Sequence, residues 1–582
     1  MKKTILITLL ACTIGTSSLL AQFIVKPTFF ETTGVSNEGI VAGYEGQAGP
    51  YSLWDADNNT FVTIGGVAPG LSHGGSAKFS EDGNFVSGSI MENYQGTDYS
   101  VMAVYDIAND SWTSLGHLSY PVDGGLSSGY NISGDGSTIV GSAWVEPNPS
   151  EVGLTTNACV WTAATGIVNL GSLYADINRG TRAQASNYDG SVVGGWQDFN
   201  GPWKSAVWRK DANGNYLPNE YLLLDPNGDP TDENNQLGEV TAISSDGNWI
   251  GGRSDWVTNN EPWIWSQDTG VIMLGTLAPN GQGHVTAVNH DGTIVIGYFQ
   301  IGPWDPNVPF IWTSSGGMQN FNDFVTGTLG FSMGASPVYT PNAMSPNGNY
   351  ITGWGYDPTI GPWGDLFTFR VQLPSVPTND DCADAIPLNC GDLVTSSTIF
   401  ASNSGGNASS DVYYSYTGNG DPETITLNAC GANTNFPTTV RVFSDCSLNN
   451  QIAFNDSSCV NQPELTFESD GVSTYIIMVE GYSDEYAGNF QLELSCEILL
   501  GAPTATLSTT ALYPNPVQDV LNLRSAGEID SIVVYSISGQ QILTQKMQNT
   551  TGTIDLSSFS SGVYFVQVNG IEQSETFKIV KK

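Results

Sequence analysis

Ile243-Ser-Ser-Asp-Gly-Asn-Trp-Ile-Gly251 is the stretch on which the fold turns. Asp246-Gly247 stands between two short apolar runs, and an Asp-Gly pair in that setting supplies the positive φ of a tight hairpin turn. The closing Gly251 predicts a bulge or a close approach of strands. The phrase recurs as Val35 to Gly43, Phe79 to Gly88, Ile132 to Gly141, Ser186 to Gly194, Val288 to Gly297 and Met344 to Gly353. Its turn glycine falls at 39, 83, 136, 190, 247, 292 and 348, about 50 residues apart.

Between phrases lies a second apolar run that ends in an aromatic: Leu53-Trp54, Val104-Tyr105, Val160-Trp161, Val207-Trp208, Ile264-Trp265, Ile311-Trp312 and Thr368-Phe369. A turn such as Asp268-Thr-Gly270 and a further run, Val271 to Gly275, often follow. Two hairpins per repeat make a four-stranded unit, and this period is that of propeller blades. Seven units predict a seven-bladed β-propeller over residues 22–372. A stacked β-solenoid is the alternative, although its period is usually shorter. The repeats resemble the extracellular HAF-type repeat family, best over Pro262-Trp-Ile-Trp265, Leu274-Gly-Thr-Leu277 and on to Gly297. That resemblance implies an exported propeller-like domain and no defined activity.

The 582 residues carry 17 Lys+Arg against 57 Asp+Glu, a formal net charge of −40. Such a balance argues against nucleic acid or an anionic membrane surface as partner, because both demand clustered Lys and Arg. With charged residues at 13% and hydrophobic ones at 40%, the chain is globular rather than disordered. Residues 1–21 read as a signal peptide: Lys2 and Lys3, an apolar stretch from Ile5, and cleavage between Ala21 and Gln22. Leu9-Leu10-Ala11-Cys12 offers a lipoprotein alternative, with a very short apolar stretch. No later segment reaches the roughly 18 apolar residues of a membrane span, so no transmembrane segment is expected in the mature chain.

Leu373-Pro-Ser-Val-Pro-Thr378 reads as a linker. Beyond it, alternation predicts strands at Val412–Tyr416, Thr424–Leu427, Thr439–Phe443, Leu465–Phe467, Tyr475–Val479 and Gln491–Leu494, hence a β-sandwich over 379–497. Cys382, Cys390, Cys430, Cys446, Cys459 and Cys496 crowd this segment. An even set in an exported segment reads as disulfides, with 15 connectivities open. Cys446–Cys459 is the expected local pair. Zinc is disfavoured, since no CxxC pair and no nearby His accompany them. Asn379-Asp-Asp-Cys382, Tyr475–Val479 and Gly488–Leu492 resemble the prepeptidase C-terminal (PPC-like) domains, which implies a non-catalytic accessory module.

After a second linker, 498–511, come Leu512-Tyr513-Pro514-Asn515-Pro516, Asp519–Leu523, Ile532–Gly539, Ile554–Leu556, Gly562-Val-Tyr564-Phe-Val566 and Lys578-Ile-Val-Lys581. Residues 512–582 hold five basic and six acidic side chains, so this tail is near neutral while the rest of the chain carries the negative charge. These ordered motifs resemble the type IX (Por) secretion C-terminal sorting domain, type A. The resemblance implies a small seven-stranded, Ig-like sandwich read by the outer-membrane translocon of Bacteroidota. It also implies passage through the periplasm, and release or attachment at the outer cell surface.

Sites of chemistry are sparse. Gly125-Leu-Ser127-Ser-Gly129 matches GxSxG but stands in a β repeat, not at a strand–turn–helix elbow. His73, His117, His284 and His290 are scattered and read as turn residues. Asp82, Asp135, Asp189, Asp246 and Asp291 sit where a turn demands them. Asp225, Asn227, Asp229 and Asp232 place oxygen ligands at alternating positions, as calcium loops do, without the full EF-hand pattern; Asp55, Asp57 and Asn59 are a weaker case. Trp196, Trp203, Trp304 and Trp363 are candidate sugar-stacking aromatics, and the last three stand in Gly-Pro-Trp turns. The expected function is non-catalytic binding of a polysaccharide or an extracellular protein. A hydrolase using a carboxylate pair and a structural adhesin are the alternatives.

Overall fold

The computed structural model describes residues 22–582 apart from 27, 46–49, 68–74, 119–124, 146–154, 172–179, 199–202, 218–222, 230, 232–234, 255–259, 303–304, 315, 334–336, 358–364, 406, 484–485, 499–509 and 571–573. The chain divides into two compact units, Met1–Glu497 and Ile498–Lys582. The leader and the Ala21 side of its cleavage point lie outside the described residues, and Gln22 opens the first strand, Gln22–Lys26.

The repeats are the blades of a seven-bladed β-propeller. The first blade, Glu31–Val35, Ile40–Tyr44, Tyr51–Asp55 and Thr60–Gly65, sets the pattern of four antiparallel strands. In the second blade the inner strand shrinks to one bridge, Phe79 to Val86, beside a three-stranded sheet. The seventh blade borrows its outer strand from the start of the chain, because Gln22–Lys26 pairs with Asp365–Gln372. Arg370 reinforces this closure. Its buried guanidinium meets Asp57 of the first blade at 2.6 and 2.9 Å and Gln22 Oε1 at 3.0 Å. Asp57 therefore already holds a cation, and Asp55 spends its oxygens on the N–H groups of Asp57 and Asn58 and the amide of Asn58.

The recurring phrase folds by one set of hydrogen bonds. Ser244 Oγ accepts the Trp249 N–H at 2.9 Å and donates to Asp246 Oδ1 at 2.5 Å, which in turn accepts the Asn248 N–H at 2.9 Å. The turn glycines all have positive φ, from 65° at Gly190 to 83° at Gly39, so the acidic residue and glycine have the turn role their pairing predicts. The closing glycine has a different reason. Six inner strands carry a bulge, and a glycine opposite lets an inner-strand carbonyl approach closely. It is the closing glycine itself at 43, 141, 297 and 353, and the one after it, Gly195 or Gly252, where Gly194 and Gly251 instead face valine side chains of the next blade. A Cβ on Gly141 would lie 1.9 Å from the Ser128 oxygen, and one on Gly297 would lie 2.0 Å from that of His284.

The sandwich stacks a five-stranded sheet on a four-stranded one. Val412, Tyr414, Ile425, Val440, Ile477 and Phe490 fill the space between. All six predicted strands are present; Ile386–Leu388, Leu393–Ser397 and Gln451–Asn455 complete the set. The sandwich packs on the propeller through Ile399, which joins Phe321, Phe324 and Phe367 in one core cluster. Its disulfides are Cys382–Cys446, Cys390–Cys496 and Cys430–Cys459, so the expected Cys446–Cys459 pair is wrong. Cys446 lies in the connection between Thr438–Phe443 and Gln451–Asn455, whereas Cys459 follows the far end of that hairpin; each reaches a different neighbour. Cys159 is buried and unpaired, and burial pushes its thiol up, away from reactivity.

Among the described residues the C-terminal unit has five strands, where seven were expected. Two of them, Val520–Ser536 and Gln541–Asp555, are long enough to serve both layers. Leu521 and Ile554 from one end face Ile532, Val534, Val566 and Ile579 in a single core.

Two outcomes are expected. Gly141→Ala should lower stability by about 1–3 kcal/mol, as overpacking does, whereas Gly327→Ala, in the helical turn Phe324–Thr328, adds a Cβ that would meet nothing at an ordinary φ and should leave it nearly unchanged. Denaturant midpoints of the two variants decide whether the closing glycine is needed for the bulge. Peptide mapping without reduction should recover the three pairs above, and a peptide linking Cys446 to Cys459 would overturn them.

Candidate functional site

Bulging the inner strands orders two rings of side chains around the propeller axis. In the first, Thr33, Gln184, Thr241, Thr286 and Asn342, each at a bulge, donate to a backbone carbonyl of the next blade at 2.6–3.0 Å, and Asn131 does so at 3.2 Å. A small cavity of about 110 Å³ lies inside this ring, with Lys78 and Glu81 the charged side chains among its described lining residues. Burial lowers the Lys78 ammonium to about 8.

The second ring stands towards the ends from which the long connections leave. Glu31, Arg182, Glu239 and His284 occupy the position eight residues before the turn glycine. Glu239 is buried and organises its neighbours. Arg253 meets it at 2.5 Å, Gln184 donates to it at 3.1 Å, and Arg182 lies 3.9 Å away. Arg182 also donates to Gln184 Oε1 at 2.8 and 3.0 Å, which fixes its plane.

Aromatic rings enclose these guanidinium groups. Arg182 lies 4.7 Å from the Tyr130 ring centre, 5.3 Å from Trp196 and 6.0 Å from Trp203, while Arg253 lies 5.5 Å from Trp203. Trp196 and Trp203 stack at 4.6 Å with a 9° interplanar angle. Trp203 keeps 41% of its surface exposed, whereas Trp196, also a candidate for stacking on a sugar, is buried beneath it at 8% and cannot offer its face. On the next blade His284 stacks on Tyr298 at 4.8 Å. Burial, with Arg253 nearby, lowers the His284 imidazole to about 3. Burial raises the carboxyl of Glu31, against a hydrogen bond to Tyr44.

Of the expected stacking aromatics, Trp196 and Trp203 fall in this cluster, and Trp304 and Trp363 lie outside the described residues. In the Asp225 loop, Asp225 Oδ1 accepts the Asn227 N–H at 2.8 Å and Asp229 Oδ1 accepts the Thr231 N–H at 2.8 Å, each in its own turn, and Asp232 lies outside the described residues. Among the described residues the one group with metal-ligand spacing is Cys390, Glu423 and Cys496, whose sulfurs are spent in a disulfide. Ser127 of the GxSxG match is buried, donates to the Gly116 carbonyl at 2.7 Å and accepts the Met102 N–H at 2.9 Å. Sequence reasoning missed Arg182, Glu239, Arg253, His284 and Tyr298. One signal was available: six of the 17 Lys and Arg fall between residues 179 and 253.

The tail motifs converge on the last strand, Ser574–Lys581. Asn515 donates to the Lys578 carbonyl and accepts the Val580 N–H, both at 2.9 Å, in the manner of a strand partner. Gly562 faces Lys581 in register, Lys581 is buried with its ammonium 3.6 Å from Asp519, and Tyr564 donates to the Ser560 carbonyl at 2.8 Å. Tyr513 stays half exposed, at the end of Ala511–Tyr513, and Pro514 and Pro516 both follow cis peptide bonds.

The family model of the secretion system C-terminal sorting domain (Por_Secre_tail) matches residues 511–582. It marks the chain for export by type IX secretion and for release or attachment at the outer surface. Among the described residues no helix is long and apolar enough to cross a membrane. No curated protein matches the chain. Solved structures similar to it include TolB from Acinetobacter baumannii, 13% identical, covering 50% of this chain and 61% of that one at a TM-score of 0.30. The β-propeller domain of the Trilobed protease from Pyrococcus furiosus is 12% identical, over 60% of this chain and 96% of that one, at 0.35. An oligogalacturonate lyase in complex with manganese is 13% identical, over 61% and 91%, at 0.37. Likeness at this level carries nothing about activity from those proteins to this chain.

His284 generates a pH prediction. Its ordinary pKa is about 6.5, so between there and about 3 the unfolded chain binds a proton that the folded chain does not. Its contribution to stability therefore falls as pH drops below about 6.5, with a limiting slope of about 1.4 kcal/mol per pH unit. Unfolding free energies of the native protein and His284→Gln, compared between pH 7 and pH 4, should converge on acidification. Parallel curves would show that His284 protonates freely in the fold.

Proposed function

We propose that the protein is a non-catalytic binding module, displayed or released outside the cell, whose Trp203–Arg182–Arg253 mouth takes a polysaccharide with acidic groups. The half-exposed Trp203 ring carries this reading. It presents a flat face beside two guanidinium groups, held in place by Trp196 beneath and Glu239 behind. Sugar rings stack on such a face, and planar guanidinium groups match carboxylate or sulfate. An extracellular protein is the other partner class, and a structural adhesin would need no such pocket of fixed charge.

The hydrolase reading has one observation in its favour, the raised carboxyl of Glu31. Glycoside hydrolysis needs a second carboxylate free to act. Glu239, the other acid of the ring, is bound by Arg253 and Gln184, which speaks for binding.

Affinity electrophoresis of the full secreted chain against acidic and neutral polysaccharides, with calcium and with EDTA, tests the proposal. Retardation by an acidic polymer without new reducing ends is expected, and Trp203→Ala should weaken it about tenfold or more. Loss in EDTA would bring in the Asp225, Asn227, Asp229 and Asp232 loop as a calcium site. New reducing ends would replace the binding module with a hydrolase, and unchanged retardation in the variant would move the site elsewhere.

A further inference from the structure

A second opening lies at the other end of the blades, where the turns of the sixth and seventh blades face the sandwich. This cleft holds about 350 Å³, within the roughly 300–1,000 Å³ of small-molecule sites, and domain junctions are where such sites gather. We propose that it is a separate binding site for a single neutral pyranose, free or at the end of a glycan chain.

Its floor is apolar. Ile294 of the sixth blade, Val376 of the linker and Phe400 of the sandwich line it, and Val376 leaves 58% of its surface exposed. Phe400 has φ at 63°, a backbone conformation that bulky residues seldom hold. Packing of its ring 6.2 Å from Phe324 on the propeller holds it there and fixes the wall of the cleft. A sugar ring has an apolar C–H face that such a floor can cover.

The rim is polar and its hydrogen-bonding capacity is unspent. Asp291 uses only Oδ1, on Thr293, and Asp380 uses only Oδ1, on the Ser402 N–H at 2.6 Å. Among the described residues the hydroxyls of Ser314 and Ser402 meet no partner. Asn349 is the telling departure. In the second and fifth blades the corresponding Asn84 and Asn248 donate their amides to Asp82 and Asp246 at 2.7 Å. The seventh blade has Asn347 in place of that aspartate, and Asn347 turns its own amide to the Asn37 carbonyl, leaving the Asn349 amide unpaired beside the cleft. Carboxylate and amide groups spaced around an apolar floor match the alternating donors and acceptors of ring hydroxyls. Among the described residues no lining residue is a cation, which disfavours an anionic sugar.

Saturation-transfer NMR on the full chain with methyl glucoside, methyl galactoside and methyl mannoside tests the site. At least one should give a saturable signal in the native protein and equally in Trp203→Ala, since the propeller mouth is a different place. Ser314→Trp puts an indole into the cleft from an exposed position; it should weaken the signal about tenfold or more with an unchanged melting midpoint. Asp380→Asn, which keeps an acceptor for the Ser402 N–H, should weaken it less. Absence of any saturable signal overturns the proposal, as does a signal that survives Ser314→Trp or disappears with Trp203→Ala.

Discussion

Six of the seven inner strands are bulged, five by one residue and Val338–Met344 by two, and a glycine sits opposite the bulge because a carbonyl occupies the space a side chain would need. Much of the propeller follows from that irregularity. The bulge turns a polar side chain sideways, and Thr241, Thr286 and Asn342 use the turn to grip the next blade. It also brings Arg182, Glu239 and His284 to one level at the mouth. The bonds that join the blades and the candidate site thus share one backbone cause, and site residues on paired strands are better held than residues on loops.

Charge at this mouth is unlike the charge of the chain. With 57 acidic side chains against 17 basic ones, the surface is mostly repulsive to anions. Two arginines gathered on one buried carboxylate, between aromatic rings, make a local exception. Glu239 lowers the cost of burying them and fixes their orientation. Its removal would leave two partly buried cations facing each other, which is why it is read as support for the site rather than as an acid catalyst.

Sequence made the blades legible because each turn carries its own chemistry: a residue with φ above 60°, an acceptor two positions before the N–H it caps, and a glycine against a carbonyl. The six strands of the sandwich were legible from alternation. Three shorter ones were not: Ile386–Leu388 and Leu393–Ser397 bury a single residue each, and Gln451–Asn455 buries none. The disulfide pairing was not legible, since a short separation in sequence says nothing about which end of a hairpin a cysteine occupies. The mouth stayed hidden for a similar reason. Arg182 and Arg253 are 71 positions apart, and only the circular order of the blades brings both to Glu239.

The borrowed outer strand of the seventh blade bears on the order of folding. Gln22 faces Gln372, so the first and last strands of the propeller meet across 350 positions of sequence. Contacts so distant are the slowest to form, because the chain between them must be gathered first. Until they form, Asp365–Gln372 is an open sheet edge, a template for any other strand that arrives. The latch of the ring is therefore also its most delayed step, and a chain interrupted before that step would carry all its blades and still have an adhesive seam.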